Sequence, residues 1–322
     1  MEKDIRIVYM GTPDFAVAPL ERLVNEGYNV VGVVTMPDKA VGRHHDVLQA
    51  SPVKQWATEH SLPVLQPEKL RDEAFLAQLA SLQADLQVVV AFRMLPEVVW
   101  AMPRLGTFNL HASLLPKYRG AAPINWAVMN GDTETGVTTF FLKHEIDTGD
   151  IIEQRKIPIA RTDNVEIVHD KLMHLGAQMV IDTVDSIIDG TVKTTPQAQM
   201  LTAGQQPTPA PKIFKDTCRI DWNRTAEALY NHVRGLSPYP AAWTEIVDAT
   251  GKTHSTKVFA TGQPQAKPEG ELPGTVTSDG RHLWVACADG RLEITQLQVA
   301  GKKRMPADAF LRGFKIEDAH CD

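Results

Sequence analysis

The chain has 322 residues, 33 Lys and Arg against 39 Asp and Glu for a formal net charge of -6, and 43% hydrophobic content in the globular range. That length allows two domains of about 150 residues each, and the composition excludes collagen, coiled-coil and disordered chains. The longest uncharged, mainly apolar run, Leu86 to Phe92, is far short of the roughly 20 residues a membrane helix needs.

In chain order, Ile5 to Met10 predicts a buried strand, a run rich in β-branched residues that ends at Gly11 and Pro13. Asp14 is placed to cap a helix carrying Phe15, Leu20, Leu23 and Val24 on one face. Val30 to Thr35 predicts a second strand, Ser51-Pro52 opens a second helix in cap-then-proline order, and Leu86 to Ala91 predicts another buried strand. Strand alternating with helix implies an α/β fold, a doubly wound Rossmann-like parallel sheet whose ligands gather beyond the carboxyl ends of the strands. Val165 to Ile188 has Ile167, Val168, Leu172, Leu175, Val180, Ile181 and Val184 at helical spacing and stops at Gly190, closing a first domain over 1–190. Residues 191–211 hold four prolines and little large apolar content, which predicts a stiffened linker. Residues 212–322 then offer a helix over Thr225 to Val233 and five short strands near Trp243–Val247, Lys257–Ala260, Gly274–Thr277, Leu283–Ala286 and Leu292–Leu297. Short strands separated by Gly, Pro and Asp turns predict a small OB-like β-barrel.

Charge is unevenly divided. Residues 1–208 contain 18 basic and 25 acidic side chains, whereas 209–322 contain 15 and 14. The C-terminal part is therefore free to present a local basic stripe, for which Lys212, Lys215, Arg219, Arg224 and Arg234 form one cluster and Lys302, Lys303 and Arg304 another. Charges at Glu2, Lys3, Asp4 and Arg6 leave no apolar leader, and Cys218, Cys287 and Cys321 are odd in number and widely spaced, so a reducing, cytoplasmic setting is expected.

The most informative stretch runs from Thr107 to Trp126. If 107–111 is a strand, its period of two puts Asn109 and His111 on one face, so an amide and an imidazole converge. Taken alone, both could simply bond neighbouring loops, and Asp147 in the turn Glu145 to Asp150 could be a turn residue. Gly11 after the first strand invites a dinucleotide reading, but Gly-x-Gly-x-x-Gly would need glycines where Pro13 and Ala16 stand, so no nicotinamide cofactor is expected. His44-His45 has no further ligand at suitable spacing, and no metal is expected.

Asn109-Leu110-His111-Ala112-Ser113-Leu114-Leu115-Pro116, followed by Asp147-Thr148-Gly149, resembles the folate-dependent formyltransferase family, whose catalytic set is an Asn, a His and an Asp. The resemblance extends to Gly11 through Phe15, Gly42-Arg43, Ser51-Pro52-Val53 and Gly131 through Val137; it covers the first domain with specific motifs and the C-terminal domain more weakly. It implies catalytic roles for Asn109, His111 and Asp147. It also implies folate contacts at Ser113, Leu114, Leu115 and Pro116 and, through backbone groups, at Phe92 and Arg93, where a Tyr-Gly pair is common in the family. Gly11, Thr12 and Pro13 would line a pocket for the methionine end of the substrate, and Arg43, in the loop Lys39 to Gln49, would enter the acceptor arm of a tRNA. Lys212, Lys302 and Lys303 would hold the same tRNA from the C-terminal domain.

The implied reaction moves a formyl group from 10-formyltetrahydrofolate, a co-substrate used without metal, to the α-amino group of methionine on initiator methionyl-tRNA, for translation initiation. A free α-amino group titrates at about 7.7 to 8.0, so a useful fraction is neutral and no strong base is required. An imidazole oriented by a carboxylate suits the proton transfers, and an amide can donate to the developing oxyanion. No protein partner or membrane is implied, and a monomer is expected. Two alternatives stay open: formylation of another amine, such as a sugar nucleotide or glycinamide ribonucleotide, and a non-catalytic tRNA- or folate-binding protein.

Overall fold

The structure is a computed structural model that describes residues 4–41, 47–201, 204 and 206–322. In chain order its elements are β1 (Ile7–Gly11), α1 (Val17–Asn25), β2 (Val30–Val34), β3 (Lys39–Val41), β4 (Val47–Gln49), α2 (Pro52–Glu59), β5 (Val64–Leu65), α3 (Glu73–Ser81) and β6 (Leu86–Val90). There follow α4 (Glu97–Trp100), β7 (Thr107–His111), β8 (Arg119–Gly120), α5 (Pro123–Met129), β9 (Glu134–Phe141), β10 (Ile151–Pro158) and α6 (Val165–Ile188). The chain then continues through β11 (Pro209–Ala210), α7 (Ala226–Leu236), β12 (Ala242–Val247), β13 (Thr253–Thr261), β14 (Val276–Ser278), β15 (Leu283–Ala286), β16 (Arg291–Val299), β17 (Met305–Pro306), α8 (Ala307–Leu311) and β18 (His320–Cys321). Two compact units result, one of residues 1–120, 136–157 and 169–209, the other of 121–135, 158–168 and 210–322.

The first unit is built on a sheet ordered β10-β9-β7-β6-β1-β2-β5. β5, β2, β1, β6 and β7 run parallel, and β9 joins β7 antiparallel. The continuous apolar runs explain this, since a parallel strand covered on both faces has no solvent side to decorate. Ile7, Val8, Tyr9 and Met10 are all fully buried, as are Leu86, Val88 and Val90. Gly11 closes β1 where the chain has no room for a side chain: a Cβ would press on the Ala16 methyl and the Val90 carbonyl.

Ser51 caps α2 as expected, its hydroxyl accepting from the Lys54 N–H at 3.1 Å with Pro52 next in line. Asp14 does not cap a helix. It opens a short 3-10 turn in which the Ala16 N–H returns to the Pro13 carbonyl, and α1 begins three residues later with no side-chain cap. The expected linker over 191–211 is partly packed structure: Thr195 pairs with Ile151 through two 2.8 Å backbone bonds, and a 3-10 turn follows over Gln197–Met200.

The second unit contains the five expected strands within an antiparallel sheet ordered β14-β15-β16-β13-β12-β18, with β17 on β16. The sheet closes on itself. Thr275, just before β14, bridges His320, and the Cys321 N–H donates to the Gly274 carbonyl at 2.8 Å. Inside lie Ala242, Thr244 and Ile246 from β12, Leu283 and Val285 from β15, and Leu292, Ile294 and Leu297 from β16; they alternate with outward residues as a half-buried sheet requires, except between Ile294 and Leu297, where the register with β13 shifts. α7, capped by Thr225, buries Leu229, Val233 and Leu236 in the same core. Burial pushes the Cys287 and Cys321 thiols up to about 12, so both stay protonated and act as small apolar fillers.

His232 on α7 is 3% exposed, and burial pushes its imidazole down to about 4. An unfolded histidine titrates near 6.5, so below that pH the unfolded chain binds a proton that the folded chain refuses. The stability from neutral burial is full above pH 6.5 and is lost as pH falls from 6.5 toward 4, about 2 kcal/mol of it by pH 5. Urea midpoints should therefore decline between pH 7 and 5, and His232→Gln should flatten that decline. An unchanged slope in the variant would assign the proton uptake elsewhere.

Candidate active site

The carboxyl ends of β1, β6 and β7 meet at one edge of the first sheet. Gly11 lies in register with Val90, and Val90 with Leu110. The strand order reverses between β1 and β6, which is where open α/β sheets hold ligands. Gly11-Thr12-Pro13, Phe92-Arg93 and the end of the Asn109–His111 strand thus leave the sheet side by side.

On β7, Phe108 and Leu110 point to the buried face, and Asn109 and His111 take the other. The His111 and Asp147 side chains are only 8% and 12% exposed, and Nδ1 of the ring lies 3.9 Å from Asp147 Oδ2. The opposite nitrogen, Nε2, is 2.8 Å from the Tyr118 carbonyl oxygen. A carbonyl can only accept, so Nε2 carries a hydrogen and the neutral ring offers its lone pair at Nδ1. The carboxylate therefore faces the nitrogen that takes up a proton. Asn109 is half-buried, and among the described residues its side-chain amide has no hydrogen-bond partner in the protein, which leaves two N–H donors for a ligand.

Asp147 is held by backbone. The Gly120 N–H donates to its Oδ2 at 2.9 Å, and its own φ of +54° turns the loop sharply. Gly149 follows, packed so tightly that a Cβ would run into the Phe141 carbonyl oxygen. Gln197, 3% exposed, lies against the loop. Its Nε2 donates to the Asp147 and Gly149 carbonyls at 2.8 and 2.9 Å, and its Oε1 accepts from Arg119 Nη2 at 2.7 Å. Sequence reasoning missed Tyr118, Gly120 and Gln197. The first two act through main-chain atoms that carry no residue signature, though they follow the Ser113–Pro116 turn directly; Gln197 fell in the expected linker.

The Ser113–Pro116 turn is internally satisfied. Ser113 Oγ donates to the Lys117 carbonyl at 2.6 Å, Thr138 Oγ1 donates to the Ser113 carbonyl, and Gln154 donates to the Leu115 carbonyl at 2.7 Å. Leu115 joins a small core with Phe140 and Ile151, Pro116 is buried, and Leu114 is half-buried. Thr12 spends its hydroxyl on the Thr35 hydroxyl and the Met36 N–H, both at 3.4 Å, while Pro13 is exposed. The Arg93 guanidinium is turned to the Glu68 carbonyl at 2.8 Å and the Pro67 carbonyl, so it ties two loops together. Arg43 lies outside the described residues.

In the second unit, members of the two basic clusters fall along one row. Lys215 and Arg219 stack over Trp243, Trp243 is paired across strands with Lys257, Lys257 with Gln298, and the Gln298 amide donates to the Lys302 carbonyl at 2.9 Å. Lys212 stacks over the exposed Phe214, and Lys302 and Lys303 are exposed. Arg234 does not join the row, because it is half-buried and bonded to Asn231 and the Asp163 carbonyl. Among the described residues no three His, Cys, Asp or Glu side chains are placed to hold a metal, and no helix is long and apolar enough to cross a membrane.

Residues 5–184 match the formyl transferase family and residues 212–315 its C-terminal domain. A methionyl-tRNA formyltransferase of Bacteroides fragilis is 62% identical over 319 residues, covering 99% of this chain and 98% of its own. One from Porphyromonas gingivalis is 47% identical over 317 residues, covering 98% and 97%. Among solved structures, the sugar 3N-formyl transferase WlaRD, determined with dTDP and 5-N-formyl-THF, aligns with a TM-score of 0.64 at 16% identity, over 93% of this chain and 99% of that one. HypX from Aquifex aeolicus in complex with tetrahydrofolic acid aligns at 0.60 and 20% identity over 98% of this chain, which spans about half of HypX. These two structures share the fold; the sequence matches are far closer, and by them the chain belongs to the formyl transferase family, among the methionyl-tRNA formyltransferases.

Proposed function

We propose that this protein transfers the formyl group of 10-formyltetrahydrofolate to the α-amino group of methionine carried by initiator tRNA. The observation that carries the reading is the 62% identity to a methionyl-tRNA formyltransferase over nearly the whole chain. Asn109, His111 and Asp147, gathered at the sheet edge, supply the chemistry.

The neutral amine attacks the formyl carbon, and negative charge builds on the formyl oxygen. Asn109 donates to that oxygen. Nδ1 of His111 accepts the proton the amine sheds, and Asp147 stabilises the imidazolium that results. The same proton then goes to N10 of the folate as the N10–carbon bond breaks, leaving tetrahydrofolate and the formylated amine. His111 ends as it began, and Tyr118 keeps the ring oriented throughout.

The folate lies against the Ser113–Pro116 turn and the backbone at Phe92 and Arg93, with Leu114 the half-buried side chain of that turn. The end of β1 at Gly11, Thr12 and Pro13 takes the methionine. Arg43 meets the acceptor arm, and residues 212–322, an OB-like tRNA-binding part, hold the tRNA along the row from Lys212 to Lys302 and Lys303. Residues 1–190 carry the catalysis, and the enzyme works in the cytoplasm as a monomer.

Incubation with 10-formyltetrahydrofolate and charged initiator tRNA should yield formyl-methionyl-tRNA. Product from a sugar nucleotide or glycinamide ribonucleotide instead would replace this substrate assignment, and no product with any amine would leave a binding protein. For the tRNA row, Lys302→Ala with Lys303→Ala should weaken tRNA binding and lower the slope of log affinity against log salt by about 2, one per phosphate contact. An unaltered slope would remove both lysines from the interface.

A further inference from the structure

Gln197 uses every polar atom of a buried side chain. Its two N–H groups go to the carbonyls of Asp147 and Gly149, and its oxygen takes both Nη2 and Nε of Arg119, at 2.7 and 3.2 Å. A buried amide satisfied in this way holds its neighbours rigidly, since moving any partner strands a polar group away from water. What it joins matters. Arg119 lies between Tyr118, whose carbonyl fixes His111 Nε2, and Gly120, whose N–H fixes Asp147 Oδ2. Gln197 thus grips the segment that orients both side chains on one side and the Asp147 turn on the other.

Its own position comes from a third place. Thr195 is locked to Ile151, the first residue of β10 beyond the Asp147 turn, by two 2.8 Å backbone bonds, and Pro196 starts the short turn that presents Gln197 to the loop.

We infer that Gln197 is a positioning residue for formyl transfer, acting through the Asp147 loop to keep the carboxylate beside Nδ1 of His111. The inference rests on the catalytic roles proposed for His111 and Asp147. Without its donors the loop carbonyls lose their tether and Asp147 drifts from the ring; a shift of about 1 Å at such a site costs on the order of 100-fold in rate.

The test measures kcat and KM with 10-formyltetrahydrofolate and charged initiator tRNA for Gln197→Met, Gln197→Glu, Asp147→Asn and the double variant Gln197→Met with Asp147→Asn. Gln197→Met removes the amide at similar volume. Gln197→Glu keeps an acceptor for Arg119 but has no donor for the loop, and it carries the test should Gln197→Met fail to fold. Both single Gln197 variants are expected to lose about 100-fold in kcat with both KM values nearly unchanged. In the double variant the Gln197 change should add little to the Asp147→Asn loss, because the group it positions is already disabled. Wild-type kcat in Gln197→Glu, or losses that multiply in the double variant, would overturn the role of Gln197 while leaving the catalytic set in place. Wild-type kcat in Asp147→Asn would instead overturn the proposed roles on which it rests.

Discussion

His111→Ala is expected to lower kcat by about 10²- to 10⁴-fold, the usual contribution of a positioned general acid–base, with little change in KM for the folate. In the proposed reaction the ring accepts a proton from the attacking amine and returns it to N10. Its hydrogen-bonded Nε2 and open Nδ1 are set by Tyr118 before substrate arrives. Asn109→Ala is expected to cost about 10²- to 10³-fold, the loss seen when a single oxyanion donor is removed. Asn109 is half-buried and among the described residues its amide has no partner, whereas His111 is buried, bonded to the Tyr118 carbonyl and set beside Asp147, so the fold of His111→Ala is checked by circular dichroism before its kinetics are read. Steady-state kinetics on purified, folded protein check both. Turnover within a few-fold of the parent in either variant would remove that residue from the mechanism.

Gly149→Ala is expected to abolish most activity by a different route. The added methyl would collide with the Phe141 carbonyl oxygen, a backbone atom held where β9 pairs with β7. The loop must move instead, carrying Asp147 away from His111 and breaking the bond from Gln197 to the Gly149 carbonyl. A displacement of about 1 Å is enough for a 100-fold loss in kcat/KM, and overpacking of this kind costs about 1–3 kcal/mol of stability. Gly190→Ala is the matched control. Gly190 has φ of +67°, so alanine there is strained, yet no atom lies near the added methyl. About 1 kcal/mol of stability should go, with turnover unchanged. Equal kcat/KM for both variants would mean that the Asp147 loop tolerates displacement.

Much of this site is legible in the residues. Asn109 and His111 share a face because any strand alternates, and the runs Ile5 to Met10 and Leu86 to Ala91 announce a parallel sheet because only Arg6 and Gln87 break their apolar character. The Ser51-Pro52 helix start held because its cap bond spans three residues. Asp14 misled because the same cap chemistry competes with a 3-10 turn, and which one forms depends on how the chain packs after β1.

The amino-acid sequence by itself determined what is local or periodic: the strand–helix alternation, the five strands of the C-terminal part, and the types of group available for chemistry. Only the tertiary structure decided which nitrogen of His111 faces Asp147, that a glutamine 50 residues downstream of Asp147 braces its turn, and that Lys215 and Arg219 share a row with Lys302. The physical reason is range. A periodicity is written in consecutive side chains, whereas a hydrogen bond from Gln197 to a backbone carbonyl, or from His111 to Tyr118, exists only after closure of the chain has brought the two together, and main-chain partners leave no mark in the residue type.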